Sequence, residues 1–106
     1  MSDEEEKCRI ALRSIRRDLA AMFGEKMAES VIRKQLSMNQ ELAAVFGKKM
    51  AADTLRAHIS ELGICLKKSR DVERLIDSLH ENVFKKFVGA EKAEVAARKY
   101  RELLKA

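Results

Sequence analysis

A ten-residue segment occurs in several copies, and this repetition limits the folds that are available to the chain. The copies are LAAMFGEKMA at 19–28, LAAVFGKKMA at 42–51 and the more divergent FKKFVGAEKA at 84–93. The three copies align on Gly24, Gly47 and Gly89. With their flanks they lie near residues 16–38, 39–61 and 81–103. Because the spacing between copies is unequal, the repeat indicates duplication within a compact bundle and not a regular solenoid.

The apolar side chains change face at each of these glycines. At about 100° per residue, Met22 and Phe23 lie within about 60° of Leu19, whereas the apolar residues after Gly24 centre about 150° away. Glycine adopts positive φ without a Cβ penalty and commonly ends helices. We therefore predict a helix, a glycine corner and a second helix in every copy. The alternative is a continuous helix in which Gly-x-x-x-Ala lets two backbones approach closely.

Composition indicates an all-α protein. Proline is absent, glycine occurs four times and aromatic residues make up 5% of the chain, a profile that favours helix by propensity and argues against sheet. A chain of 106 residues is the size of one domain. We predict an acidic, frayed N-terminus at 1–6 and a single helical domain at 7–106, a compact bundle of about five or six helices. A break is expected between Leu36 and Asn39.

The charge is unevenly distributed. The net charge is +5, but residues 7–106 carry 22 basic and 13 acidic side chains, a net charge of +9. No segment approaches the roughly 18–20 consecutive apolar residues of a membrane span, and the first residues are acidic instead of forming a basic and then apolar signal. These features predict a soluble, cytoplasmic protein without contact with a membrane.

The sequence offers little support for catalysis or for a cofactor. Cys8 and Cys65 form no Cys-x-x-Cys pair, so neither a zinc site nor a disulfide framework is predicted. His58 falls on the apolar stripe of its helix, where a hydrogen-bonded core histidine is expected, and His80 falls at a helix edge. The chain has no phosphate-binding glycine loop and no nucleophile elbow. We predict a non-enzyme with no metal and no cofactor.

The basic residues provide the candidates for anion or partner binding. If Gly47 is a corner, Lys48 and Lys49 open a helix, where unpaired backbone N–H groups attract an anion. The alternative is that both lysines extend into solvent and pair with Glu41 or another nearby acid. The further candidates lie in a predicted connection and are Lys67, Lys68 and Arg70. These basic residues could equally lie on solvated faces of helices without binding a partner.

The arginine nine residues after each glycine is identical in all three copies. These residues are Arg33, Arg56 and Arg98. We expect a structural role repeated in each copy, either packing of the stem along the corner or a bond to a terminal carbonyl of the preceding helix.

Residues 71–104 combine a strongly amphipathic helix, Phe-Val-Gly at 87–89 and an alanine-lined helix. This third of the chain resembles uncharacterised helical modules appended to prokaryotic, in particular archaeal, signalling proteins. The resemblance implies regulatory protein–protein contact without catalysis. We therefore expect a small interaction or adaptor module that binds another protein or a second copy of itself. The alternative is a basic, helical nucleic-acid-binding protein.

Overall fold

The computed structural model describes residues 3–33 and 40–105, with side chains at 3–29 and 43–105. Helix α1 is Asp3–Arg33 and α2 is Gln40–Leu62. Helix α3 comprises Ser69–Leu79, a π-helical turn at His80–Phe84 and a last turn at Lys85–Val88, and α4 is Ala90–Lys105. The described part of the chain has no strand, so the all-α prediction is confirmed. It holds four helices, where five or six were predicted. The predicted break at 36–39 lies outside the described residues.

The smaller number of helices follows from Gly24 and Gly47, at which the predicted corners are wrong. Both glycines lie inside continuous helices, and positive φ occurs at Gly63 and Gly89 among the described glycines. The apparent change of face in α2 has a simple explanation, because Val45 and Phe46 are exposed. They therefore form no second buried stripe.

The backbones of α1 and α2 approach closely where the first two repeat copies meet. A Cβ atom on Gly47 would collide with the carbonyl oxygen of Ala20 and lie 2.8 Å from the amide nitrogen of Gly24. A Cβ atom on Gly24 would lie 3.2 Å from the carbonyl oxygen of Ala43. The alternative explanation of the repeat, small residues that permit close packing, therefore describes these two copies.

The chain divides into two compact units, and the single domain at 7–106 stays a prediction. The terminal unit is Met1–Ser14 with Ala57–Ala106, and the central unit is Ile15–Arg56. Both boundaries fall within continuous helices, α1 and α2. Residues 3–6, for which fraying stays a prediction, form the first turn of α1. Acidic side chains stabilise this position because the helix dipole is positive there.

The core of the terminal unit is built largely from α3 and α4. Val72, Leu75, Ile76 and Leu79 are buried on α3, and Ala93, Ala97, Tyr100 and Leu104 are buried on α4. The Phe84 and Tyr100 rings lie 6.0 Å apart in a tilted arrangement, and an ion pair between Asp77 and Arg101 joins the two helices. Burial of each large apolar side chain in this core contributes roughly 1.5–3 kcal/mol to the stability of the fold.

The π-helical turn at His80–Phe84 shifts the buried face of α3. A π-helical turn accommodates one extra residue, and one residue corresponds to about 100° of rotation. In a regular helix Phe84 would lie about 120° from Val72, outside the buried stripe, and the extra residue brings it onto that stripe, where it is buried. Phe87, in the last turn, is exposed, and Val88 is half-buried.

Two glycines set the directions of the last helices. At the end of α2, Gly63 has φ of 63°, its N–H donates to Ser60 O at 3.4 Å, and the N–H of buried Ile64 donates to Ile59 O at 3.1 Å. These two hydrogen bonds and the positive φ form a Schellman motif. Gly89, at φ 90° and ψ 162°, separates α3 from α4 without any connecting loop, so the predicted corner is confirmed there.

Candidate interaction surface

Two apolar and two basic side chains are exposed on α2 near Gly47, and Phe46 and Lys48 lie on opposite flanks of the helix, about 100° to either side of the glycine. Gly47 is buried against α1, and at about 100° per residue Val45 and Lys49 lie on the opposite side of the helix. Val45, Phe46, Lys48 and Lys49 are all exposed, and we call these four residues the α2 surface. The close approach of two backbones at Gly47 therefore determines which side chains face outward.

The exposure of the two apolar residues distinguishes the second repeat copy from the first. Val45 is 63% exposed and Phe46 is 37% exposed. Their counterparts in the first copy, Met22 and Phe23, are buried, with Phe23 at 8%. Similar sequence therefore serves the core in one copy and the surface in the other. Adjacent large apolar residues that remain exposed are a common mark of a binding surface.

The predicted helix start at Lys48 and Lys49 is wrong. Both lysines lie in the middle of α2, where backbone N–H groups bond within the helix and no dipole end is present. The reason for expecting an anion at a helix end is therefore removed at these positions. Both side chains are exposed, as the alternative predicted, whereas the side chain of Glu41 lies outside the described ones. The two lysines remain a source of positive charge beside Val45 and Phe46.

The other basic candidates, Lys67, Lys68 and Arg70, belong to the terminal unit, whereas Lys48 and Lys49 belong to the central unit. They are exposed around the start of α3, where a helix N-terminus is present. This end already holds an anion, because the Ser69 N–H donates to the Glu4 carboxylate at 2.8 Å. The structure thus explains how the acidic start of the chain is held at the N-terminus of α3.

The structure does not show the expected role for the repeated arginines. The predicted corner near Arg56 is absent, and Arg56 is an exposed side chain 3.9 Å from Asp53. Arg98 is likewise exposed and lies 3.5 Å from Glu94 on its own helix. The side chain of Arg33 lies outside the described ones. A bond to a terminal helix carbonyl is instead made by Arg74, which donates to Leu62 O at 3.3 Å.

The histidines take part in local hydrogen bonding. His58 Nδ1 lies 3.0 Å from Ser78 Oγ, which also accepts a bond from Asn82 Nδ2 at 3.4 Å. This network joins α2 to α3, so the prediction of a hydrogen-bonded His58 is confirmed, although the side chain is half-buried. His80 Nδ1 lies 3.4 Å from Glu81 Oε1. Within the described residues, no group of three or more His, Cys, Asp or Glu could hold a metal ion.

The spacing of small residues along α2 indicates which side of the helix is packed, provided that the helix continues through Gly47. Ala43, Gly47 and Ala51 recur at intervals of four and are buried. In a continuous helix such a row of small residues forms one packing ridge. Val45 then falls on the opposite side together with Lys49. The resemblance between the repeat copies therefore does not extend to the burial of Val45 and Phe46.

No helix in the described part of the chain is long and apolar enough to cross a membrane. No protein-family model, curated protein or solved structure matches the chain.

Proposed function

We propose that the protein is a small, non-catalytic interaction or adaptor module, and that its α2 surface binds an acidic segment of another protein. The observation that carries the proposal is the exposure of Val45 and Phe46 next to Lys48 and Lys49. Apolar anchors supply most of the affinity at protein interfaces, and peripheral charges select the partner and speed association. A partner that complements this surface carries acidic side chains around an apolar anchor.

Sequence differences between the repeat copies support a basic surface with a specific role. Lys48 takes the place of Glu25 in the first copy, and Lys49 aligns with Lys26. In the first copy, Lys26 lies 3.9 Å from Glu29. The second copy has Ala52 at the position of Glu29. Lys48 and Ala52 thus stand where the first copy has Glu25 and Glu29. The helix face around Val45 is therefore more positive, which favours an acidic partner.

Nucleic acid is the second candidate for this surface, favoured by the positive charge and by the exposed Phe46 ring, which could stack on a base. The proposal places a protein first because the basic residues along α2 are not uniformly available to phosphates. Arg56, for example, pairs with Asp53. A regulatory role in prokaryotic signalling, which the resemblance of residues 71–104 implies, and a cytoplasmic location are parts of the same proposal.

Affinity capture with a matched pair of variants tests the proposal. Val45→Asp places a charge in the α2 surface, whereas Val95→Asp places the same charge at an equally exposed valine of the terminal unit, 60% exposed against 63%. Wild-type protein and both variants are used to capture partners from native lysate treated with nuclease, and affinities are then measured with the purified partner. We expect Val45→Asp to weaken binding by about 2 kcal/mol, roughly thirtyfold in Kd, and Val95→Asp to leave it unchanged.

Three results would contradict the proposal. Equal capture by the two variants would remove the α2 surface as the binding site. Loss of all captured material after nuclease treatment, with affinity for a labelled duplex that falls steeply as salt rises, would establish the nucleic-acid alternative. A sedimentation mass above 12.1 kDa that Val45→Asp returns to the monomer value would identify a second copy of the chain as the occupant.

A further inference from the structure

The two cysteines lie on the same structural junction, although 57 positions separate them in the sequence. Cys8 belongs to α1, and its Sγ lies 3.9 Å from Ser69 Oγ. Cys65 begins the turn that leads to Ser69, because the Lys68 N–H donates to Cys65 O at 3.2 Å. Glu4, one helical turn before Cys8, accepts a bond from the Ser69 N–H at 2.8 Å. Ser69 therefore connects the segment around Cys8 with the segment around Cys65.

The two thiols differ in accessibility. Cys65 is exposed, whereas Cys8 has no exposed surface, and both are free. Burial raises the pKa of the Cys8 thiol, the bond with Ser69 opposes this effect, and the nearby Glu4, Cys65 and Glu5 add to the increase. A dissolved oxidant can thus reach Cys65 directly, while Cys8 is held as the neutral thiol beneath the surface.

We propose that Cys65 is a site of reaction with hydrogen peroxide and that Cys8 is the thiol that resolves the product into an intramolecular disulfide. In the first step the Cys65 thiol attacks peroxide, the O–O bond breaks, and sulfenic acid and one water form. In the second step the Cys8 sulfur attacks the Cys65 sulfur, and the hydroxyl group leaves with the Cys8 proton as water. Two thiols are oxidised to one disulfide, and one peroxide is reduced to two waters.

The position of Cys65 allows this step without the unwinding of a helix. Cys65 lies in the non-helical connection between Gly63 and Ser69, so its side chain can turn toward Cys8 while α1 and α3 remain formed. Its N–H donates to Asp71 Oδ2 at 2.8 Å, and the expected movement breaks or tilts this bond. The inference is independent of the proposed binding function, because none of its residues belongs to the α2 surface.

Mass spectrometry of the full-length reduced protein tests the inference. The protein is exposed to a small excess of hydrogen peroxide, and remaining thiols are alkylated under denaturing conditions. We expect a monomer that has lost two hydrogen atoms, has no alkylated cysteine and yields a linked pair of peptides containing Cys8 and Cys65. Treatment with dithiothreitol should restore two alkylatable thiols.

Two variants separate the roles of the cysteines. With Cys65→Ser we expect Cys8 to remain a thiol, and with Cys8→Ser we expect a sulfenic acid at Cys65 that dimedone labels. Because Cys65 is exposed, Cys65→Ser can be interpreted even if Cys8→Ser fails to fold, which circular dichroism would reveal. Disulfide-linked dimers through Cys65, sulfinic acid at Cys65 with Cys8 still alkylatable, or equally fast oxidation of Cys8 in Cys65→Ser would each overturn the inference.

Discussion

Replacing Gly47 with alanine should destabilise the protein, even though alanine is the better helix former. In a helix interior this change favours folding by about 1 kcal/mol through propensity. The added Cβ, however, would collide with the Ala20 carbonyl oxygen and crowd the backbone of Gly24. These are backbone atoms and cannot move aside as a flexible side chain would, so the cost should reach the upper end of the about 1–3 kcal/mol expected for overpacking. The net loss is about 2 kcal/mol.

Gly24→Ala provides the matched control. Its Cβ would lie 3.2 Å from the Ala43 carbonyl oxygen, a contact that a shift of a few tenths of an ångström relieves. The favourable propensity should then offset most of the strain, and we expect a change within about 0.5 kcal/mol of zero. The two substitutions are chemically identical and occupy equivalent positions of the repeat, so the difference between them reports the packing of α1 against α2.

Urea denaturation followed by circular dichroism at 222 nm measures both effects. We expect Gly47→Ala to lower the midpoint by about 1 M at an unchanged m value, and Gly24→Ala to leave the midpoint nearly unchanged. A Gly47→Ala protein as stable as the wild type, or more stable, would refute the close approach of the two backbones. Equal losses at both glycines would also refute it, because they would indicate backbone strain of the same kind at each position.

Two further substitutions test the junctions of the terminal unit by the same measurement. Gly89→Ala places a Cβ on a residue with φ of 90° and ψ of 162°, a region used essentially by glycine. The change should lower the free energy of unfolding by about 1–3 kcal/mol. A loss below a few tenths of a kcal/mol would show that α3 and α4 do not meet at a strained corner. Glu4→Gln removes the charge of the acceptor for the Ser69 N–H and should lower the free energy of unfolding by about 1 kcal/mol. Glu6→Gln, at an exposed position, is its control. Equal effects of the two changes would contradict the role of Glu4 at the start of α3.

The role of the first two repeat copies was decided by tertiary packing. The sequence around Gly24 and Gly47 is compatible with a corner and with a close helix contact, because both require a residue without a side chain. What separates the two is the position of Ala20 and Ala43 on the opposing helix. These contacts join residues 19 and 27 positions apart, and no local pattern specifies them.

The same reason explains why the candidate site was only partly foreseen. The basic character of Lys48 and Lys49 is evident in the sequence, but the exposure of Val45 and Phe46 depends on which side of α2 packs against α1. The junction at Ser69 is likewise non-local, since it joins Glu4 and Cys8 to the connection before α3. The extra residue of the π-helical turn at His80–Phe84, where Phe84 is buried, left no periodic signal in the sequence.

Other features were determined by the sequence alone, because their causes are local. The absence of proline and the high content of helix-forming residues specify helices over most of the described chain. Gly63 followed by Ile64 specifies a helix end, because the positive φ and the two capping hydrogen bonds involve neighbouring residues only. Gly89 behaves as predicted while Gly24 and Gly47 do not. The physical difference is that a Cβ on Gly89 would meet no neighbouring atom within 4 Å, so backbone conformation alone requires glycine there, whereas at Gly47 the requirement comes from a second helix.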